Sequence, residues 1–517
     1  MTGRTPAAPL WIYAIVFLSG AAVLGYEIIG ARLLSPVFGS TLTVWSCVFA
    51  VTLLSLAAGY AVGGAASARV DPLRAMAVSL TGAGLFLTAI LWLRDPLLLR
   101  AMRWGVLGGT LGAAALLLAA PLACLAAVGP FALKRLAGDP SRVGRDTGRV
   151  SGISTAGSVV GALFVGYWLV GRLDAPLSAA ILAGLVCALA AASWAGSGRR
   201  GVAAAVLMAC VAVSGPAALA SRDRKDYGKV LERADSFYGA LRVHEHDSWG
   251  KRILYIDGVA NTVVDRETLD SVSDYIFGIE LAMFLRPKGD IRSALLIGLG
   301  GGSLVGRLDR HYGVPVDVVE IDPVVVRLAK KWFGFRETGS LSVEDARTFL
   351  AREGRGYDLI IGDAFSGDRH PAHLYTVEAF RTMKSRLNSQ GVFALNAIGY
   401  AKGPKAGMKR AIARTLKEVF TNVRAFPANQ GVDPDRDPVN MIFFASDGPV
   451  EFTRDPLSAR RDLSWFYRSI RSRTLDLEAG EGELITDARN PVDRLNTPVF
   501  VDIRSTIFKS RGRLLLD

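Results

Sequence analysis

Apolar residues are distributed along this chain in two regimes. Up to about residue 220 they come in long blocks. Seven segments, approximately 10–29, 42–64, 75–93, 105–129, 150–170, 177–194 and 202–220, each supply the roughly 20 residues that an α-helix needs to cross a bilayer. The first contains Glu27 and runs on into Gly30-Ala31-Arg32-Leu33-Leu34 without a small-residue cleavage site, so it reads as a retained anchor and not a cleavable leader. Gly152, Ser154, Gly157, Ser158 and Gly161 would let helix backbones approach closely, which predicts a packed membrane bundle over residues 1–221.

From Tyr238 the period shortens. Residues 240–244 and 252–256 alternate around Ser248-Trp249-Gly250, the pattern of a β-hairpin, and a small β-subdomain with a linking helix near 270–285 is expected over 222–285. Beyond it, short apolar strands at 294–297, 316–319, 358–361 and 392–395 alternate with helices near 303–311, 323–334, 346–352, 376–388 and 405–420. This predicts a parallel, doubly wound α/β domain of Rossmann-like, class I methyltransferase type over 286–450, with a late strand at 439–445. Residues 451–517 read as a polar C-terminal extension with little pattern.

Half of the 517 residues are hydrophobic and the mean hydropathy is +0.30, too apolar for an ordinary soluble protein. Up to Ser221 there are fifteen Lys/Arg and six Asp/Glu, which is +9 of the formal +13. The basic excess therefore belongs to loops flanking the spans and gives no reason to expect a nucleic-acid partner. All four cysteines, Cys47, Cys124, Cys187 and Cys210, lie in apolar stretches, without a disulfide framework or a CxxC metal pattern. Glu27, an ionisable group within a span, is expected to form an interfacial ion pair with Arg32, ahead of serving a ligand site.

The first strand of the α/β domain runs into Gly298-Leu299-Gly300-Gly301-Gly302-Ser303, where glycines permit a tight turn and close approach of backbone to a nucleotide. The second ends in Val318-Val319-Glu320-Ile321-Asp322, placing a carboxylate where it can accept two ribose hydroxyls. The third is followed by Glu344-Asp345-Ala346, with an acid suited to an adenine amino group. Gly298, Gly300, Gly302, Glu320, Asp345 and Ala346 form the expected cofactor set, with Asp322 capping the next helix. The fourth strand delivers Asp363 to the same crevice, where a general base for an attacking amine would stand; the alternative is a loop-closing cap. In Asp368-Arg369-His370-Pro371-Ala372-His373, the intervening proline and the lack of a third ligand favour a loop closing over the pocket, and no metal is expected.

These residues resemble the spermidine synthase family, in particular its bacterial members fused to membrane helices. The resemblance spans roughly 238–445, together with Gly20-Ala21-Ala22-Val23-Leu24-Gly25-Tyr26-Glu27 and Arg32-Leu33-Leu34 in the first span. It extends to Ile485-Thr486-Asp487-Ala488-Arg489-Asn490-Pro491-Val492-Asp493 near the C-terminus. It implies a membrane-bound aminopropyltransferase. Decarboxylated S-adenosylmethionine would donate to a small amine and leave as methylthioadenosine, with its adenosine held by Glu320 and Asp345 and the amine deprotonated with help from Asp363. Asn261, Glu280, Ser303 and Ser366 carry over as substrate-binding positions, with departures. Ser303 stands for the glycine loop's aspartate, Gly278-Ile279-Glu280 for Tyr-His-Glu, Asn261 for the glutamine after Asp257-Gly258, and Ser366 for the second aspartate of Asp-Ser-Ser-Asp. The adenosine half is kept and the polyamine half changed, so an acceptor other than putrescine fits, including one presented at the membrane.

Two other readings stay open. One is a methyltransferase or other transferase using S-adenosylmethionine itself, since Ser303 removes a donor-specific carboxylate. The other is a non-catalytic membrane sensor or transporter that binds a nucleotide or polyamine. The expected partners are the amine, the lipid bilayer and a second copy in a homodimer. Loops on the N-terminal side carry ten Lys/Arg against nine on the other, which slightly favours a cytoplasmic N-terminus and, with seven spans, an external domain. The adenosyl donor is made in the cytoplasm, and that outweighs the small bias: the expectation is a multi-pass inner-membrane protein of bacterial type with its soluble domain cytoplasmic.

Overall fold

A computed structural model describes residues 10–39, 42–137, 143–170, 172–220, 228–287, 290–352, 354–365, 367, 369–429, 431–434, 436–471, 473–477 and 482–511. They divide into a helical unit, residues 10–220 with Ala234–Phe237, and an α/β unit made of residues 228–233 and the chain from Tyr238 onward.

In the helical unit, Leu10–Phe38, Leu42–Ser67, Pro72–Trp104, Leu107–Leu136, Val143–Leu169 and Ala175–Gly196 are long and apolar enough to cross a membrane. The seventh expected segment lies within the helix Arg200–Ala220, whose described apolar part, Arg200–Cys210, is shorter. Small residues pack as their spacing predicts. Gly157 and Gly161 bring the carbonyls of Phe17 and Ala21 where any Cβ would collide, and the Ser158 hydroxyl donates to the Gly20 carbonyl at 3.0 Å. Two of these helices contain a wide π turn, Ala115–Ala119 and Phe164–Leu169, and the Tyr26 hydroxyl donates to a carbonyl of the first, Leu117, at 3.1 Å.

The expected Glu27–Arg32 ion pair is not formed. Glu27 is buried and faces Thr52, while Arg32 donates to the main-chain carbonyls of Ser236 at 2.9 Å and Phe237 at 2.7 Å in the same unit. The reason is helical geometry: at 3.6 residues per turn, positions five apart point about 140° away from one another.

The α/β unit opens with an antiparallel sheet in the order β1 (Lys229–Asp235), β2 (Ala240–His246), β3 (Lys251–Ile256), β4 (Val259–Asp265). The β2–β3 hairpin turns through Asp247–Trp249 and a left-handed Gly250, as its sequence predicts. The main sheet consists of β5 (Ala294–Ile297), β6 (Val316–Glu320), β7 (Leu341–Val343), β8 (Tyr357–Gly362), β9 (Leu387–Gly399), β10 (Asn422–Pro427) and β11 (Val439–Ser446) in the order β10-β11-β9-β8-β5-β6-β7. Strands β5 to β9 are parallel, with continuous apolar runs in β5 and β8 that suit burial on both faces. The expected late strand is present as β11, and it inserts antiparallel between β9 and β10. Strand order reverses between β5 and β8, which opens a crevice at their carboxyl ends.

The tail after residue 451 is more than a polar extension. It forms the helices Ser464–Arg471 and Val492–Arg511, and Ile485 and Val492 are fully buried in the main core.

Candidate active site

The chain leaves β5 through a glycine loop that no larger residue could form at two points. Gly298 has φ of 90° and a Cβ there would lie 2.6 Å from the Asp363 carbonyl. Gly302 has φ of 77° and a Cβ there would lie 2.5 Å from the Phe335 ring. The resulting turn borders a cavity of about 350 Å³ at the carboxyl ends of β5, β6 and β8, within the size range of small-molecule sites. Gly298, Gly300, Glu320, Asp345, Ala346, Asp363 and Asn261 all line it. Gly302 does not; it turns the chain into the helix Ser303–Tyr312.

The walls are otherwise largely apolar, with Ile297, Leu299, Val319 and Leu374, and Tyr238 stands among them. Five acids line the cavity (Glu320, Asp322, Glu344, Asp345 and Asp363), and among the described residues no Lys or Arg does. That balance attracts a cation and disfavours phosphates.

Glu320 is held by the backbone: its Oε2 accepts the Leu299 N–H at 2.8 Å and its Oε1 the Asp322 N–H at 2.9 Å. Burial pushes its carboxyl above the usual range, and the two N–H donors oppose that shift. Each oxygen keeps a lone pair for a ligand hydroxyl. In Glu320→Gln the amide NH₂ must face one of those two N–H groups. We expect the affinity for an adenosyl ligand to fall by roughly 10–100-fold, read by calorimetric titration, with an unchanged Kd as the contrary result.

Asp345 has two tasks. Its Oδ1 accepts the N–H groups of Arg347 at 3.0 Å and Thr348 at 3.1 Å, capping the helix Ala346–Arg352, and its Oδ2 meets His373 Nε2 at 2.8 Å. Burial alone would raise its pKa, but His373 and the cap donors together hold it below the ordinary carboxylate range. Asp322 caps Pro323–Trp332 through the Val324 N–H at 2.9 Å, as expected.

Asp363 stands just past β8, where a second, smaller cavity of about 100 Å³ adjoins the first. Asp363, Asn261 and Phe365 line both, and Tyr275, Ser303, Asn396 and Asn440 line the smaller one. Burial pushes the Asp363 carboxyl up to about 7, against the Asn396 amide that donates to its Oδ1 at 2.8 Å. A carboxyl with that proton affinity can hold or release a proton near neutrality, as a general base requires. The Ser303 hydroxyl is buried at the first turn of its helix and has no hydrogen-bond partner among the described residues.

Two of the expected substrate residues fare differently. Ser366 lies outside the described residues. Glu280 lines neither cavity: it is fully buried and bound by Arg307, by Arg460 at 3.0 Å and by the Tyr312 hydroxyl at 3.2 Å. Two guanidinium groups consume the carboxylate that the resemblance assigned to substrate.

The loop after Asp363 covers the first cavity with Pro371, His373 and Leu374. It is held by the C-terminal segment: Asn490 donates to the Ala372 carbonyl at 2.8 Å, and His370 Nδ1 meets Asn496 at 3.0 Å while its Nε2 accepts the Ile398 N–H at 3.0 Å. Burial lowers His370 to about 4, so it is a neutral structural pin. Arg347 joins loop to tail by forking onto both oxygens of Asp487 at 2.7 and 2.6 Å and reaching the His373 carbonyl at 3.3 Å. This pair is partly solvated, so Asp487→Ala should cost at most about 1 kcal/mol of stability. Its expected effect is on the loop, a several-fold rise in KM for the donor at nearly constant kcat; equal falls in both would contradict that role.

Sequence reasoning missed Asn396, Asn440 and the anchoring by 485–496. Asn396 did carry a signal: it is the polar residue in the apolar run Val392-Phe393-Ala394-Leu395-Asn396-Ala397, and a buried amide at the carboxyl side of a central strand needs a partner.

A family model described as "Spermine/spermidine synthase domain" matches residues 270–428. The chain is 34% identical over 180 residues to an N-terminal histidine N-methyltransferase of Emericella nidulans, covering 33% of this chain and 31% of that protein. It is 40% identical over 114 residues to a polyamine aminopropyltransferase of Vibrio vulnificus, covering 21% and 38%. Against a polyamine aminopropyltransferase of Pectobacterium atrosepticum it is 24% identical over 263 residues, covering 49% and 87%. The chain thus spans about a third of the length of the first two relatives. Together these likenesses make the α/β unit spermidine synthase-like.

Proposed function

We propose that this spermidine synthase-like unit is the catalytic part of a membrane-bound transferase that moves an alkyl group from an adenosyl sulfonium donor to an amine. Our leading reading is aminopropyl transfer from decarboxylated S-adenosylmethionine. The observation that carries the proposal is Asp363, a carboxyl with proton affinity near neutrality, lining both the acidic 350 Å³ cavity and the adjoining 100 Å³ one.

The larger cavity suits the donor. Its apolar walls fit a planar base, Glu320 offers acceptors to ribose hydroxyls, Asp345 offers one to an exocyclic amine, and the excess of carboxylates favours a sulfonium. When bound, the donor supplies a carbon activated by positive sulfur, so the N–C bond forms as the S–C bond breaks and the electron pair leaves with a neutral thioether. Asp363 takes the proton that the acceptor nitrogen must lose, and Asn261 and Phe365 border both partners. The six apolar helices support a bilayer anchor, with the α/β unit on the cytoplasmic side where such donors are made.

Purified full-length chain, given the decarboxylated donor and a panel of amines with and without membrane extract, is expected to release methylthioadenosine. No release with any acceptor would sink the leading reading. A second reading, methyl transfer from S-adenosylmethionine, is supported by Ser303 and by the likeness to an N-terminal methyltransferase. An unpartnered hydroxyl at a helix N-terminus can receive a donor carboxylate that an aspartate there would repel. Release of adenosylhomocysteine, with a larger thermal shift from the carboxylated donor, would select it.

A further inference from the structure

Three adjacent strands bring one carboxyl and two side-chain amides into line. Gly362, the last residue of β8, pairs with Leu395 on β9, which places Asp363 beside Asn396. On the other side of β9, Asn440 of β11 pairs with Ile398, so it stands diagonally from Asn396 on the same face. The Asn440 Nδ2 donates to Asn396 Oδ1 at 3.1 Å, and the Asn396 Nδ2 donates to Asp363 Oδ1 at 2.8 Å. All three residues line the smaller cavity.

We infer that Asn440 is a positioning residue for the base of this site: by occupying the Asn396 carbonyl it fixes which way the Asn396 amide faces, and so presents Asp363 with a donor on Oδ1 while leaving Oδ2 for the acceptor amine. This rests on the transfer reading above. An asparagine side chain has nearly the same shape whichever way its amide is turned, so its partners decide the orientation. If Asn396 turned over, its oxygen would face the Asp363 carboxylate and its NH₂ the Asn440 NH₂, two repulsive contacts in place of two hydrogen bonds.

The frame around the chain is stiff. Asn396 is 1% exposed and its main-chain carbonyl accepts the Tyr375 hydroxyl at 3.1 Å, while the Asn440 backbone bonds Ala428 and the Asn429 side chain of the neighbouring segment. The Asp363 Oδ2 has no hydrogen-bond partner among the described residues. An amide that donates to the charged form holds the carboxyl below where burial alone would put it, so the relay tunes the base as well as aiming it. The titratable groups facing Asp363 are the phenols of Tyr275 and Tyr375, both pushed well above their usual range by burial and by Asp363 itself. Across the larger cavity stand Glu320, Asp322, Glu344 and Asp345, with His373 beside Asp345. Burial is what raises the base, and the relay opposes it through the Asn396 amide.

The test compares wild type, Asn440→Asp and Asn440→Ala as full-length chains. Asn440→Asp keeps the shape but cannot donate, and it draws the Asn396 NH₂ toward itself; Asn440→Ala removes the partner without adding charge. In both, the acid limb of the kcat/KM profile should move up by about one pH unit, with a roughly tenfold loss below neutrality that shrinks at high pH. KM for the donor should stay constant. The Asp363 carboxyl is also followed by infrared titration, with Asp363→Asn as the blank, and its midpoint should rise by the same amount without any turnover. Activity that falls equally at all pH values with an unmoved infrared midpoint would reduce Asn440 to packing and overturn the inference. A shifted midpoint in a chain that transfers nothing from either donor would uphold the relay and fail the transferase reading instead.

Discussion

Asp363→Asn should lower the transfer rate by two to four orders of magnitude, the usual contribution of a positioned general base, while making the protein more stable. The two effects share one cause. Burial holds this carboxyl up at about 7, well above an ordinary aspartate, so the folded state pays to ionise it. The sign follows from proton linkage: between the unfolded value near 4 and the folded value of about 7, the native state binds more protons, so this group's contribution becomes destabilising as pH rises through that window. Asn carries no charge, and it can still accept the Asn396 amide with its Oδ1. The variant should therefore match wild type in thermal unfolding near pH 4 and exceed it at pH 8, by up to roughly 4 kcal/mol if no water softens the penalty. Activity of wild type should rise with pH through about 7, and the variant should show no such limb. An inactive variant with no gain in stability at pH 8 would mean that Asp363 is not strained in the way described.

Glu280→Ala should be among the most destabilising single changes in the α/β unit, by about 3–5 kcal/mol, because it leaves the Arg307 and Arg460 guanidinium groups buried without their anion. For a unit of this size that corresponds to a drop in its melting temperature of roughly 10 °C. The donor's Kd at a permissive temperature should not change, because Glu280 reaches neither cavity. The spermidine synthase resemblance implied the opposite, a substrate contact whose loss would raise KM for the amine and leave stability intact. Measuring unfolding and amine KM on the same variant separates the two.

Glu280 also shows where reading a linear sequence stops. Its position after Gly278-Ile279 resembled a substrate motif, but Arg460 lies 180 residues away in the sequence, and no local pattern could announce that it would claim the same carboxylate. Strands were legible where they carry an unbroken apolar run, as β5 does throughout and β8 does over Leu359-Ile360-Ile361. The antiparallel entry of β11 was not, since period shows that a strand exists and is silent on its direction. The Glu27–Arg32 pair failed for a simpler reason, because proximity along a helix is not proximity around it. The tail after 451 looked unpatterned because its helices are short or polar, and residues such as Ile485 and Val492 join a core that the rest of the chain builds.

The sequence by itself determined the two halves of the protein, the alternation of strands and helices, and five acids and glycines that line the larger cavity, Gly298, Gly300, Glu320, Asp345 and Asp363. Each of these is written in a local period or at a strand end, where chain geometry alone decides which way a residue faces. Only the tertiary structure decided what those groups could do: that Asp363 belongs to two cavities, that Asn440 and Asn396 aim it, that Asp345 is shared with His373, and that the 485–496 segment holds the covering loop. Those are contacts between residues far apart in the chain, and burial and hydrogen-bond partners, which set the proton affinity of a carboxyl, exist only once the chain has folded.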